Sequence, residues 1–175
     1  MQKKNLLITG APGSGKTTLI RALADPLRGL HPAGFYTAEI REEERMVGFC
    51  LVGLDGRREI LAHRDIGGPY RVGRYGVDLE RFEEFLAAIS LFDPGTGLIV
   101  IDEIGKMECF SAAFRHLIRE ALDSTVPCIA TIAQKGGRDI ERVKAREDVR
   151  IVTVTRKNRT ALLPVLLEEV RRMAG

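Results

Sequence analysis

A glycine-rich stretch near the start of the sequence holds the first residues that could do chemistry. Residues 10–17 fit the spacing G-x-x-x-x-G-K-[ST], which is the Walker A or P-loop pattern. Glycines allow successive backbone amides to point at one anion, and a following helix adds its N-terminal dipole. The apolar run NLLIT precedes the stretch and LIRALADPL follows it, which is the strand-then-helix context that the pattern requires. We therefore predict a phosphate-binding loop made of Gly10, Ala11, Pro12, Gly13, Ser14, Gly15, Lys16, Thr17 and Thr18.

Two side chains of this loop have chemical roles of their own. The ammonium group of Lys16 can reach the β- and γ-phosphates of a nucleoside triphosphate. The hydroxyl group of Thr17 can ligate Mg²⁺. The loop therefore predicts a magnesium nucleotide as the ligand.

A second pair of chemical residues ends the apolar run LIVIDE, which reads as a Walker B strand. We predict that Asp102 holds Mg²⁺ through a bound water, since Mg²⁺ keeps much of its hydration shell. We predict that Glu103 polarises a water for attack on the γ-phosphorus; the alternative is that Glu103 only caps the following turn.

Further candidates could touch the γ-phosphate. A cation at the developing charge accelerates phosphoryl transfer, and Lys106 stands three residues after Glu103. Arg71 and Arg74 of a glycine-rich stretch are other candidates, and surface exposure is the alternative for all three cations. If none reaches the γ-phosphate, turnover should be slow. The strand PCIATIA ends near Gln134 and holds Thr131, which we predict to sense the γ-phosphate.

The elements that must position these residues alternate between strand and helix. Helical spacing follows the loop, with Pro26 and Gly29 ending the helix. Antiparallel strands are predicted over about 33–64, in the stretches AGFYTAEI, MVGFCLVGL and EILAH. A loop is predicted at GGPYRVGRYG. Helices are predicted at LERFEEFLAAISLF, SAAFRHLIREALD (with Ser111 as a cap), RDIERVKARED and TALLPVLLEEVRRM, where Pro164 falls near the first turn. We predict an α/β fold with a mostly parallel sheet, helices on both faces and an inserted antiparallel hairpin region.

Composition limits the class of protein. The chain has 175 residues, 45% of them hydrophobic and 29% charged, which suits one domain over 1–175. Its net charge of +3 is too small to argue for a nucleic-acid partner. The cysteines Cys50, Cys109 and Cys128 stand far apart, so we expect buried thiols. The first apolar run is short and no stretch reaches transmembrane length, so we expect a cytoplasmic monomer without a signal peptide or membrane contact.

Several segments together resemble the THEP1-type nucleoside-triphosphatase family. They are GAPGSGKTTL, GFYTAEIRE, the stretch VGFCLVGLDGR, YGVDLERFE, LIVIDEIGKMECFS and VTRKNR, in family order across nearly the whole chain. The resemblance implies magnesium-dependent hydrolysis of ATP, GTP and other NTPs, and a RecA-like P-loop core with a β-hairpin. It carries the nucleotide contacts onto residues 10–17 and onto Leu98, Ile99, Val100, Ile101, Asp102, Glu103, Ile104 and Gly105. The segment RDIERV departs from the family, where an aromatic-containing segment is expected.

Two other functions remain open at this point. A nucleoside or nucleotide kinase shares the loop and sheet, but Glu103 directly after Asp102 suits water activation better than an acceptor site. A nucleotide-dependent switch or RNA adaptor would use RKNR and the later RR, but no interleaved aromatics accompany them, so we expect those cations to be solvated. No N-K-x-D guanine-reading motif is present, which argues against GTP specificity.

Overall fold

The structure, a computed structural model, describes residues 3–175, so Met1 and Gln2 of the predicted domain 1–175 lie outside the described residues. The described residues form nine strands and five α-helices, which alternate except where the second to sixth strands follow one another directly. The strands are β1 Asn5–Thr9, β2 Pro32–Glu42, β3 Arg45–Gly53, β4 Arg58–His63, β5 Arg71–Val72, β6 Tyr75–Val77, β7 Leu98–Ile104, β8 Cys128–Ile132 and β9 Val149–Thr153. The helices are α1 Lys16–Ala24, α2 Leu79–Ala88, α3 Ala112–Asp123, α4 Arg138–Lys144 and α5 Arg159–Ala174, with 3-10 turns at Asp25–Leu30 and Glu108–Phe110.

All nine strands form one mixed sheet in the order β5-β6-β4-β3-β2-β7-β8-β1-β9. The pairs from β2 through β7, β8 and β1 to β9 are parallel, and the pairs from β2 outwards to β5 are antiparallel. Strand β2 belongs to both halves because its first residues pair with β7 and most of the strand pairs with β3. The antiparallel region therefore extends the same sheet that carries the candidate site.

Apolar side chains of the parallel strands alternate between two core clusters, one on each face of the sheet. Leu6 and Ile8 of β1 pack with α1 and α5, whereas Leu7 lies in the cluster that contains α2, α3 and α4. Strand β7 divides in the same way, with Val100 on the first face and Ile101 on the second. Continuous apolar runs are typical of strands that are covered on both faces. The helices therefore hold the parallel strands, and the loops that follow them, from both sides.

Local sequence signals explain most element ends. Helix α1 stops at Ala24, and Pro26 stands in the 3-10 turn that follows. Ser111 caps α3 as predicted, because its Oγ accepts a hydrogen bond of 3.0 Å from the amide of Phe114. The prediction for Pro164 was wrong, since α5 begins at Arg159 and Pro164 lies inside the helix beyond its first turn.

The stretch GGPYRVGRYG, predicted as a loop, contains the short hairpin β5-β6. Gly73 in its two-residue turn has φ 57°, a left-handed conformation that suits glycine and that tight hairpin turns need. The three cysteines are free thiols, and Cys50 and Cys128 are buried as predicted, whereas Cys109 is only half-buried. Burial raises the pKa of the Cys128 thiol to about 12. Within residues 3–175, no helix combines the length and apolarity that a membrane span requires.

Candidate functional site

The predicted phosphate loop connects β1 to α1 at the C-terminal edge of the parallel strands. Gly13 and Gly15 have φ values of 75° and 101°, in the left-handed region that other residues rarely adopt. The amide of Ser14 donates a 3.0 Å hydrogen bond to the carbonyl of Ala11, which closes a tight turn. The glycines of the motif are therefore required by the backbone path of the loop. The side-chain oxygen of Ser14 is buried and has no hydrogen-bond partner among the described residues.

Lys16 begins α1 and its side chain lies back across the loop. Its ammonium group donates a 3.0 Å hydrogen bond to the carbonyl oxygen of Gly10. An ammonium group has three donors, so this contact leaves two of them for an anion held in the loop.

Asp102 was predicted at the tip of its strand, but β7 continues through Glu103 to Ile104. Asp102 is fully buried near the C-terminal end of β7, where its carboxylate accepts hydrogen bonds from three threonines. The Thr17 hydroxyl donates to Oδ2 over 2.8 Å, which joins the two predicted motifs in one contact. The Thr37 amide and hydroxyl both lie 3.3 Å from the same oxygen, and the Thr131 hydroxyl donates to Oδ1. These donors offset the cost of burying a carboxylate. The carboxylate and the Thr17 hydroxyl are hard oxygen ligands, which is the chemistry that Mg²⁺ prefers.

The Thr131 hydroxyl, which we predicted to sense the γ-phosphate, contacts Asp102 instead. Strand β8 lies between β1 and β7, and its register pairs Ala130 with Ile101, which brings Thr131 beside Asp102. The Thr131 hydroxyl is directed at that carboxylate, so its observed contact orients Asp102. Thr37 was not among the predicted site residues. It reaches Asp102 because β2 runs beside β7, a pairing between strands more than 50 residues apart for which the sequence contains no signal.

Two glutamates border a cavity of about 370 Å³ beside the phosphate loop. Pro12, Glu103, Lys106 and Glu108 are among its lining residues. Carboxylate oxygens of Glu103 and Glu108 each lie 2.8 Å from the position that a Cβ on Gly105 would take, so a side chain there would displace both carboxylates. Glu103 was a predicted catalytic residue, whereas Glu108 was not predicted.

The two glutamates differ in their electrostatics. Burial raises the pKa of Glu103, the nearby Lys16 lowers it, and Asp102 raises it further. Glu108 is only 5% exposed, and burial together with the charge of Glu103 raises its pKa to about 8. Glu108 is therefore largely protonated at neutral pH, and Glu103 is the glutamate of the two whose pKa is lowered by the nearby cation of Lys16.

The candidate cations have different environments. Lys106 is exposed and lines the cavity that contains Glu103. Arg71 donates hydrogen bonds to the carbonyls of Ile66 and Arg74, and Arg74 donates to the carbonyl of Met46. Both arginines therefore brace the β5-β6 hairpin, and Lys106 is the candidate that borders the cavity of Glu103.

Most of the remaining predicted site residues in β7 lie in the hydrophobic core. Their apolar side chains belong to the two core clusters, and these residues are Leu98, Ile99, Val100, Ile101 and Ile104. Strand β7 therefore contributes its carboxylates to the site. Ala11, Pro12, Gly13 and Thr18 are exposed at the loop.

Two arginines that we expected to be solvated contact the phosphate loop, and Arg156 is exposed as expected whereas Arg159 is half-buried. Both follow β9 in the segment VTRKNR. The Nε of Arg156 donates a 3.3 Å hydrogen bond to the carbonyl of Gly13, and the side chain of Arg159 approaches the Cα of Gly15 so closely that a Cβ there would overlap it. The pairing of β9 with β1 produces this proximity. The sequence shows the cluster of cations, but it contains no signal that predicts their position beside the phosphate loop.

The chain is similar to known proteins over nearly its whole length. A family model described as NTPase matches residues 5–167. The nucleoside-triphosphatase THEP1 of Thermotoga maritima is 42% identical over 167 residues, covering 95% of each chain. A human cancer-related nucleoside-triphosphatase is 39% identical, covering 92% of this chain and 93% of the human one. The crystal structure of THEP1 from Aquifex aeolicus superimposes with a TM-score of 0.82 at 32% identity, over 95% of this chain and 98% of that one.

Proposed function

The chain belongs to the THEP1-type nucleoside-triphosphatase family, and from this premise we propose that it hydrolyses nucleoside triphosphates to nucleoside diphosphates and phosphate. The observation that carries the proposal is the 2.8 Å hydrogen bond from Thr17 to Asp102. This contact joins the end of the phosphate loop to β7, the strand that also bears Glu103. A phosphate group in the loop would therefore lie beside a carboxylate.

Binding of the substrate is the task of the loop. Its amides and the N-terminal dipole of α1 attract the phosphates, and Lys16 contributes a mobile cation that already lies across the loop. Thr17 and Asp102 would hold Mg²⁺, which neutralises charge on the phosphates when it is bound. Thr37 and Thr131 orient the Asp102 carboxylate for that task.

Activation of water is the task that we assign to Glu103. Its carboxylate lines the cavity beside Pro12, so a water there can be both close to the loop and within reach of a base. Burial raises the pKa of Glu103, which makes it a stronger proton acceptor than an exposed carboxylate. Lys106, which borders the same cavity, is the candidate for contacting the transferred phosphoryl group. If Lys106 does not reach that group, turnover is slow, because a cation at this position supplies much of the rate.

The finer features predicted from the sequence form part of the same proposal. They are a RecA-like P-loop fold, dependence on Mg²⁺, broad base specificity, and a cytoplasmic monomer. The phosphate loop between β1 and α1, beside a block of parallel strands, supports the fold class.

Phosphate release from ATP, GTP, CTP and UTP, each without an added acceptor, tests the proposal. We expect release from all four with the wild type, and we expect Glu103→Gln to lower kcat by about 10²- to 10⁴-fold. Glu80→Gln, on the exposed face of α2, is the matched control and should retain full activity. Full activity of Glu103→Gln would end the assignment of the base, and an unchanged kcat in Lys106→Ala would remove Lys106 from the mechanism. Release only after a nucleoside is added would indicate a kinase instead.

A further inference from the structure

The segment after β9 is held rigidly against the phosphate loop. The amide of Val154 donates a 2.8 Å hydrogen bond to the carbonyl of Thr9, and a Cβ on Gly10 would lie only 2.5 Å from the Val154 carbonyl oxygen. Asn158 closes the segment, because its side chain accepts from the amide of Thr155 over 2.7 Å and donates to the carbonyl of Thr153 over 3.0 Å. These contacts position the backbone that carries the two arginines beside the phosphate loop.

Arg159 is a half-buried cation without a counterion. Its guanidinium group packs against Gly15, the residue directly before α1. No carboxylate of residues 3–175 lies within 4.0 Å of it, although several other arginines of the chain have partners at 3.0 Å or less. A partly buried charge without a partner is costly, and guanidinium pairs well with phosphate oxygens. Its place at the start of α1, where an anion is also attracted by the helix dipole, indicates a phosphate as the missing partner.

Arg156 has a different environment, since it is exposed and makes one hydrogen bond, from Nε to the Gly13 carbonyl. That bond holds the guanidinium group at the rim of the loop, and within residues 3–175 its two terminal nitrogens donate no hydrogen bond. A guanidinium plane stacks on aromatic rings, and every nucleobase presents such a face.

We propose that these two arginines complete the nucleotide site. Arg159 pairs with phosphate oxygens at the start of α1, and Arg156 stacks on the base. The inference rests on the proposed function and adds how the nucleobase is held. Arg156 contacts the face of the base, and no hydrogen bond to the edge of the base is required. A contact of this kind tolerates purines and pyrimidines alike, which gives a physical reason for broad base specificity.

Calorimetric titrations separate the two roles, with Mg-ATP, Mg-UTP and inorganic triphosphate as the probes. Arg156→Ala should raise the Kd of both nucleotides about tenfold and leave the Kd of triphosphate, which has no base, within about twofold. Arg159→Ala should raise the Kd of all three probes by about tenfold or more, and Arg159→Lys should recover part of that loss. Lys157→Ala is the matched control, because Lys157 is an exposed cation on the same segment and should change none of them.

The outcomes also separate this inference from the proposed function. The stacking role would be overturned if Arg156→Ala bound each nucleotide, and triphosphate, with the same Kd as the wild type does. If either arginine variant turned over about a hundredfold more slowly while its Kd stayed unchanged, the binding role would be overturned and a cation acting in the transition state would be indicated. Wild-type protein that binds Mg-ATP without releasing phosphate would refute the hydrolase proposal alone, and protein that binds no probe would refute both.

Discussion

The buried acid Glu108 makes a strong prediction about the pH dependence of stability. The group is 5% exposed, and burial together with the charge of Glu103 raises its pKa from 4.5 to about 8. Below pH 4.5 the carboxyl is protonated in both the folded and the unfolded chain, so it does not lower the free energy of unfolding. Between pH 4.5 and 8 the unfolded chain releases the proton and the folded chain retains it, so stability falls as pH rises. We therefore expect Glu108→Gln, which is neutral at every pH, to remove this loss.

The magnitude follows from the size of the pKa shift. One unit corresponds to about 1.4 kcal/mol, so the interval from 4.5 to about 8 sets an upper value of about 5 kcal/mol in the free energy of unfolding. At pH 7 the expected gain of Glu108→Gln over the wild type is about 3 kcal/mol. The amide can still accept the backbone hydrogen bond from Gly105 that the carboxyl accepts, so the substitution leaves that partner satisfied.

Guanidinium denaturation of both proteins at pH 4.5, 7 and 8.5 measures this effect. The two midpoints should coincide at pH 4.5 and separate progressively at pH 7 and 8.5. Glu80→Gln on the exposed face of α2 serves as the control and should follow the wild type at each pH. The reasoning about burial would be refuted if Glu108→Gln were no more stable than the wild type at pH 7, or if the separation were already complete at pH 4.5.

Two further predictions concern residues that position the site. Gly34→Ala should lower the free energy of unfolding by about 3 kcal/mol or more, because its Cβ would overlap the Val100 carbonyl where β2 pairs with β7 and its φ of 142° disfavours other residues. The control Gly29→Ala, with no atom within 4 Å of the new Cβ, should change that free energy by less than about 1 kcal/mol. Equal effects of the two substitutions in thermal denaturation would contradict this account. Ser111→Ala should cost about 1 to 2 kcal/mol in denaturant unfolding, since it removes the cap of α3 and the 2.7 Å hydrogen bond to Glu83; a neutral result would mean that the cap contributes nothing.

The elements that could be predicted from the sequence are those with local signals. The phosphate loop, the apolar strand that carries Asp102 and the cap at Ser111 each depend on residues within a few positions of one another. The β5-β6 hairpin was missed because its strands are only two and three residues long, too short for a pattern of alternation. Pro164 lies beyond the first turn because α5 already begins at Arg159, one residue before the predicted helix TALLPVLLEEVRRM.

What the sequence alone determined is the chemical inventory and the local backbone: a glycine loop with a lysine and a threonine, a paired acid after an apolar strand, and an α/β alternation. What only the tertiary structure decided is which distant groups meet there. The three threonines on Asp102 come from α1, β2 and β8, and the arginines on the loop follow β9. Their meeting depends on strand order and register across the sheet, and those are set by how whole apolar faces pack, a property that no short stretch of residues contains.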